Sequence, residues 1–535
     1  MPRPLTDEMR DPATPPSVDV RTEAREPVTD PTLGIAVPPR HGGTPRNRLV
    51  TLGDSLTHGF QSGAIFNTDL SYPMIIAWEM GCDDEFRRPR YPGFGGLPLN
   101  LELLIRKLQR SIGQELSWWE VPLAAFELRQ HMAEVEEWWE RGPGTAVPWQ
   151  TGIMHNLGVY GWDLRDVLEW DADKLARAIQ APSNQLLSQV VENANERAAL
   201  RVLESARDGA GAALTPVAAA AALGNEGTLE TPGAGDGIET LIVALGANNA
   251  LKTVVQLKVV WSDAPDYQDV DRKERFTVWD PDHFAAELKL LVAEVKKVKA
   301  RHVIWATVPH VTIAPIARGI ATKVAPGSRY FPYYTRPWIG DADFDPSEHP
   351  HLTGQQCRAV DSAIDQYNDA IVAAVKTARQ AGLDWRLLDM AGVLDRLAAR
   401  RYITDHAARP KWWRGYELPA ELNALDPKPD SRFFLADPTG RTGGGLFSLD
   451  GVHPTTIAYG ILAQEFIRVM EGAGVVFLQG DGKTPRTRPV NVDFGRLVRR
   501  DTLISSPPTS LASELKVMGW IEELVDPFRR LFARD

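Results

Sequence analysis

Cysteine is scarce: Cys82 and Cys357 are the two in 535 residues, and neither stands in a Cys-x-x-Cys pair. That scarcity excludes a disulfide-built scaffold and the common zinc and dithiol sites. Positive charge is also in deficit, since 59 Lys and Arg against 70 Asp and Glu give a net charge of −11. Such a balance disfavours nucleic acid as a partner. Long apolar runs are missing too. One long uncharged stretch, residues 209–224, is Ala-rich and broken by Thr215-Pro216, so no transmembrane segment is expected. The first residues lack the apolar core of a secretory leader, which makes a cytoplasmic location the expectation.

What is present has the balance of a folded soluble chain, with 43% hydrophobic and 24% charged residues. The length suits two or three average domains, or one elaborated α/β domain. Residues 1–46 hold many prolines and few large apolar side chains, and they are expected to form a flexible tail. Short apolar runs with strand character follow at 48–52, 152–156, 240–245, 302–308 and 385–389. Helical periodicity separates them, at about 163–171, 183–207, 281–298, 353–382 and 455–471. Five strands alternating with helices predict an α/β fold with a five-stranded parallel sheet covered on both faces.

Four segments exceed ordinary connections and read as insertions, near 87–150, 208–238, 311–350 and 400–445. The first carries Trp118-Trp119 and Trp138-Trp139 in an acidic helical pattern, and the second, rich in Gly and Ala, is expected to be loose. The third and fourth are rich in proline and aromatics, including residues 330–334 and Trp412-Trp413. These aromatics are expected to wall the strand ends and to favour a substrate with an apolar portion. The domain layout expected is therefore a tail (1–46), a core with insertions (47–480) and a C-terminal extension (481–535).

The sharpest local feature is Val50-Thr51-Leu52-Gly53-Asp54-Ser55-Leu56, where a serine follows the first strand directly. Ligands of open α/β sheets bind beyond the carboxyl ends of the strands. Taken alone, a Gly-Asp-Ser turn is more often a cap than a nucleophile. Three further segments shift that balance: Asn156-Leu157-Gly158-Val159-Tyr160-Gly161, Gly246-Ala247-Asn248-Asn249 and Asp450-Gly451-Val452-His453-Pro454. In this order, each at a strand end or helix start, the four segments resemble the blocks of the SGNH (GDSL) esterase and lipase family.

The resemblance spans about residues 47–472 without the insertions and implies a flavodoxin-like three-layer α/β/α sandwich. It implies Ser55 as nucleophile, His453 as general base and Asp450 as the group that orients His453. It also implies an oxyanion hole made by the backbone N–H groups of Ser55 and Gly161 and the side chain of Asn248. The expected reaction is cleavage of a carboxylic ester, small or lipid-like, through an acyl-serine intermediate and without a cofactor. An acyltransferase with the same triad, or a catalytically silent scaffold, are the alternatives. One departure is visible: the third block of the family usually ends in Asp, and here Asn249 stands in its place.

Rival features read more simply. Asp280-Pro281-Asp282-His283 is a second Asp-x-x-His, but Asp280 before Pro281 looks like the N-cap of a helix. His349 and His351 flank a proline with no evident third ligand, so no metal is assigned. Residues 480–484 lack the first glycine of a phosphate-binding loop, and no Gly-x-Ser-x-Gly elbow surrounds Ser55. Leu511, Leu515, Met518, Ile521, Leu524 and Phe528 recur at helical spacing. They predict an amphipathic helix that packs on its own domain, or, as a weaker reading, touches a membrane surface.

Overall fold

Five apolar segments become strands because their side chains are enclosed by helices on either side. They are Asn47–Gly53 (β1), Asn156–Gly158 (β2), Ile238–Ala244 (β3), Ala300–Ala306 (β4) and Trp385–Leu388 (β5). In the computed structural model, which describes residues 5–39, 42–112, 121–148, 150–179 and 191–509, they form one parallel sheet in the order β5-β4-β3-β1-β2. Leu49, Val50, Leu52, Ile242, Val243, Ile304 and Trp305 make its buried middle. Gly53 lies level with Gly158 on one side and Ala244 on the other. Strands β2, β1 and β3 therefore end together, and the residues that follow them share one edge of the sheet.

Helices flank this sheet in two groups. Tyr72–Glu79 packs against Thr456–Ala473, while Pro216–Asn225, Pro281–Val295 and Gly354–Gln380 pack in sequence with one another. Gly354–Gln380 starts at a capping box, in which Thr353 and Gln356 satisfy each other's backbone N–H. Short antiparallel pieces decorate the core: Arg318–Ile320 with Tyr333–Thr335 and Leu352–Thr353, and Leu435–Asp437 with Gly440–Gly443. Among the described residues no helix is long and apolar enough to cross a membrane.

Several expectations need correction. Residues 5–39 do not hang free as a tail but run as a strap across Gly354–Gln380 and β5. Val18 and Val20 are buried, the Arg21 N–H bonds Ser362 at 2.9 Å, and Arg25 holds both oxygens of Asp389 at 2.9 Å. The Pro31 carbonyl accepts the N–H of Leu387 at 2.9 Å, closing part of the sheet edge. The segment thus gains its order from hydrogen bonds to fixed elements, and its prolines lower the entropy to be lost.

The stretch 208–238 is not loose throughout. It contains helix Pro216–Asn225, capped by Thr215, with Val217, Ala219, Ala220 and Leu223 buried. Its alanines let it lie close to the sheet, so composition that reads as a flexible insertion is a covering helix. Strand β2 starts at Asn156, the last residue of the predicted run, and only residues 194–203 of the predicted helix 183–207 are described as helix. The extension is not separate either. Asp501 caps Thr456–Ala473 by accepting the Ile457 N–H at 3.0 Å, and Arg486 pairs with Glu79. Trp118-Trp119 and the C-terminal amphipathic segment from Leu511 onward lie outside the described residues.

Candidate active site

Ser55 opens the short helix Ser55–His58 directly beyond β1. Asp54 caps that helix, accepting the Leu56 N–H at 3.0 Å. Gly53 is required by contact: a Cβ there would lie 1.9 Å from Oγ1 of Thr57. The turn is thereby forced close to the sheet, with the serine hydroxyl presented at its edge. Burial pushes the Asp54 carboxyl up to about 6, against the opposing pull of the Leu56 N–H and His453.

From the far end of the chain, the turn at residues 448–453 brings a histidine and a carboxylate to the same point. Nε2 of His453 lies 2.9 Å from Oγ of Ser55, and Nδ1 lies 3.0 Å from Oδ2 of Asp450. Both side chains are buried. Asp450 is saturated with donors: Oδ1 accepts the N–H groups of Val452 (2.9 Å) and His453 (2.8 Å), and Oδ2 also accepts that of Gly63 (2.9 Å). Burial alone would raise this carboxyl, but the facing His453 and the N–H donors outweigh it and hold it below the usual carboxylate range. An ionised Asp450 can only accept, so Nδ1 of His453 carries the proton and Nε2 is free to accept from Ser55.

Gly161 sits in the loop that follows β2, and Asn248 opens the helix Asn248–Gln256 that follows β3, at the same sheet edge. Gly161 has φ of +76°, a left-handed conformation that glycine adopts without strain. The Asn248 amide donates one N–H to the Trp162 carbonyl at 2.8 Å, which fixes its orientation and leaves its second N–H. Asn249 is fully buried, and neither atom of its side-chain amide has a hydrogen-bond partner. A carboxylate in that enclosure would be an uncompensated charge, so the departure to Asn suits this chain's packing.

Sequence reasoning missed several supports. The Phe60 ring lies 4.4 Å from that of His453, and the Gly63 N–H anchors Asp450. Nδ1 of buried His58 accepts the Tyr160 N–H at 3.1 Å, one residue before Gly161, and its Nε2 meets the Tyr91 hydroxyl at 2.6 Å. Burial lowers His58 to about 3, so it stays neutral and keeps that acceptor. Nothing local marks these residues, because each acts through a contact distant in sequence.

Beside Ser55 and His453 opens a cavity of about 120 Å³, lined chiefly by aliphatic side chains including Leu251, Val311, Ala314, Val393, Leu397 and Leu446. The expectation of aromatic walls is corrected here: Phe447 lines this cavity, but Phe331, Tyr334, Trp338 and Phe433 line a different one. His310, also at the cavity, is held between carboxylates. Burial would lower it, but Asp395 and Asp361 raise it to about 10, and its nitrogens meet Asp395 and Asp365 at 3.2 and 3.1 Å.

The rival motif is structural. Asp280 caps Pro281–Val295 through the Asp282 N–H, and His283 stacks on Tyr267 at 4.0 Å and bonds Ser262. His349 bonds the Asp345 backbone, and His351 packs edge-on against Tyr333. Compared with known proteins, the chain matches no family model and no curated protein.

Proposed function

We propose that this chain is a serine esterase of the SGNH (GDSL) type, which cleaves carboxylic esters through an acyl-serine intermediate. The observation that carries the reading is the continuous path from Ser55 Oγ to His453 Nε2 (2.9 Å) and from His453 Nδ1 to Asp450 (3.0 Å). A serine hydroxyl is a weak nucleophile until a base of fixed tautomer takes its proton, and this geometry supplies both base and fixing group. We assign the fold to the flavodoxin-like three-layer α/β/α class, since the strand order is that of a 2-1-3-4-5 sheet.

In the reaction, His453 takes the Ser55 proton as Oγ attacks the ester carbonyl carbon. The oxyanion is met by the backbone N–H groups of Ser55 and Gly161 and by the free N–H of Asn248. His453 then passes the proton to the departing alkoxide, leaving the acyl group on Ser55. Water, deprotonated by His453, attacks the acyl carbon and restores the serine. The aliphatic cavity beside Ser55 favours an acyl chain of hydrocarbon character.

The test is labelling with a fluorophosphonate probe together with hydrolysis of chromogenic esters of graded length. Labelling and turnover that both vanish in Ser55→Ala support the proposal. A folded parent chain that neither labels nor hydrolyses any ester would sink it. Labelling with product formed only on an added alcohol would make the chain an acyltransferase instead.

A further inference from the structure

Behind the wall of the aliphatic cavity lies a larger one, of about 590 Å³, and its chemistry is different. Ser431 stands in both linings, with its hydroxyl tied to the Leu397 carbonyl and the Ala399 N–H at 2.8 Å each. Five arginines reach the larger cavity: Arg318, Arg329, Arg400, Arg401 and Arg432. Three are balanced by carboxylates, Arg318 by Asp341 (2.6 Å), Arg401 by Asp361 (2.9 Å) and Arg432 by Asp430 (2.6 Å). Among the described residues, no carboxylate lies within ion-pair distance of Arg329 or Arg400. Arg329 is 7% exposed and gives one bond to the Glu23 carbonyl at 3.1 Å. Arg400 gives one to the Gly319 carbonyl at 2.8 Å.

Guanidinium groups withdrawn from water are costly when their counter-charges lie beyond ion-pair distance, as Asp361 does for Arg329 and Asp341 for Arg400. Hydrogen-bonding capacity is left over as well: Nε of Arg400 and Nη1 of the buried Arg401 have no partner. Phe331, Tyr334, Trp338 and Phe433 face the same space together with Asp341 and smaller aliphatic residues, and the Arg400 guanidinium lies 5.0 Å from the Phe331 ring. Planar guanidinium forks recognise carboxylates and phosphates, and aromatic walls recognise flat apolar bodies.

We propose that this cavity is a binding site for a small organic oxyanion, a carboxylate or phosphate monoester carried on an aromatic body, with Arg400 and Arg329 supplying the charge. The site stands independently of the esterase reading, since it shares neither Ser55 nor His453.

The test is calorimetric titration of the full chain with phenyl phosphate, phenylacetate, inorganic phosphate and benzyl alcohol. The expected result is binding of one or both aromatic anions, weakened by salt, with inorganic phosphate and neutral benzyl alcohol much weaker. The tighter anion then identifies the oxyanion. Arg400→Gln should weaken binding by about tenfold or more, the value of a charge-assisted hydrogen bond. Arg400→Lys, which keeps the charge but not the fork, should fall between. Unchanged melting of both variants would show that the fold is intact, and Ser55→Ala should bind as the parent does. Failure of the parent to bind either aromatic anion overturns the proposal. So does parental affinity in both Arg400 variants, or loss of binding in Ser55→Ala, which would place the ligand at the triad.

Discussion

Replacing Asp450 with Asn separates the electrostatic role of this residue from its shape. Both oxygens of Asp450 are acceptors for two donors each: Val452 and His453 N–H at Oδ1, Gly63 N–H and the His453 ring at Oδ2. An amide must place its NH2 at one of these positions. At the Oδ1 position it faces two backbone N–H groups, and two buried donors orphaned at about 1–3 kcal/mol each make roughly 2–6 kcal/mol. At the Oδ2 position it orphans Gly63 alone, at about 1–3 kcal/mol, provided Nδ1 of His453 gives up its proton and accepts. The second arrangement wins, and it moves the imidazole proton to Nε2, facing Ser55. A base that already carries a proton there cannot activate the serine, so kcat for ester hydrolysis should fall by roughly 10⁴-fold. The melting temperature should drop only modestly. Measurement of kcat with a nitrophenyl ester, beside circular dichroism of the purified Asp450→Asn chain, checks both. Turnover within about tenfold of the parent, from a folded variant, would refute the tautomer argument.

Other expectations follow from the same geometry. Asn248→Ala should lower kcat by about 10²–10³-fold with little change in KM, since the amide acts on the developing oxyanion; an altered KM alone would remove it from that role. Ala314→Phe, which fills the aliphatic cavity, should cost an octanoyl ester about tenfold or more in kcat/KM while sparing the acetyl ester. Equal losses on both would mean the acyl chain lies elsewhere. His58 is held near 3 when folded and titrates near 6.5 when unfolded. Between those values the unfolded chain binds the extra proton, so this contribution to stability is complete above about pH 6.5 and declines as pH falls toward 3. His58→Asn should therefore reduce the acid-side slope of unfolding free energy by about 1.4 kcal/mol per pH unit, read from denaturant melts at pH 6 and 4.5. Identical slopes would contradict a buried neutral His58.

The sheet was legible because four of its strands are apolar runs closed by turn residues, and burial on both faces demands that pattern. Strand β2 was placed early because three residues, Asn156–Gly158, carry too little apolar content to mark their own limits. Ser55, Asp450 and His453 stood out for a different reason, the resemblance of their segments to the blocks of one family. They sit at a strand end and a helix start, where the local backbone and the chemistry both constrain the residue types. Their supports were not legible. Gly63, Phe60 and His58 lie close to Ser55 in sequence, but what each does depends on residues far along the chain. The aliphatic cavity was invisible because Leu397 or Leu446 looks like any core residue until the empty space beside it is seen.

The N-terminal strap shows where compositional reasoning breaks down. Counting apolar residues measures how much core a segment can build alone, and residues 5–39 build very little. They need not, because the partners were already in place. Asp389, just beyond β5, is a buried carboxylate held by Thr307 and the Gly392 N–H, and Arg25 and the Val28 N–H (2.6 Å) complete its partners. The Leu387 N–H, on the outer strand of the sheet, would lack an acceptor without Pro31. Each contact answers a demand made by the folded core, and a proline-stiffened chain has less entropy to lose in meeting it. A segment poor in hydrophobic residues can therefore be ordered when a sheet edge and a helix face present such demands. That information lies more than three hundred residues away from the segment itself.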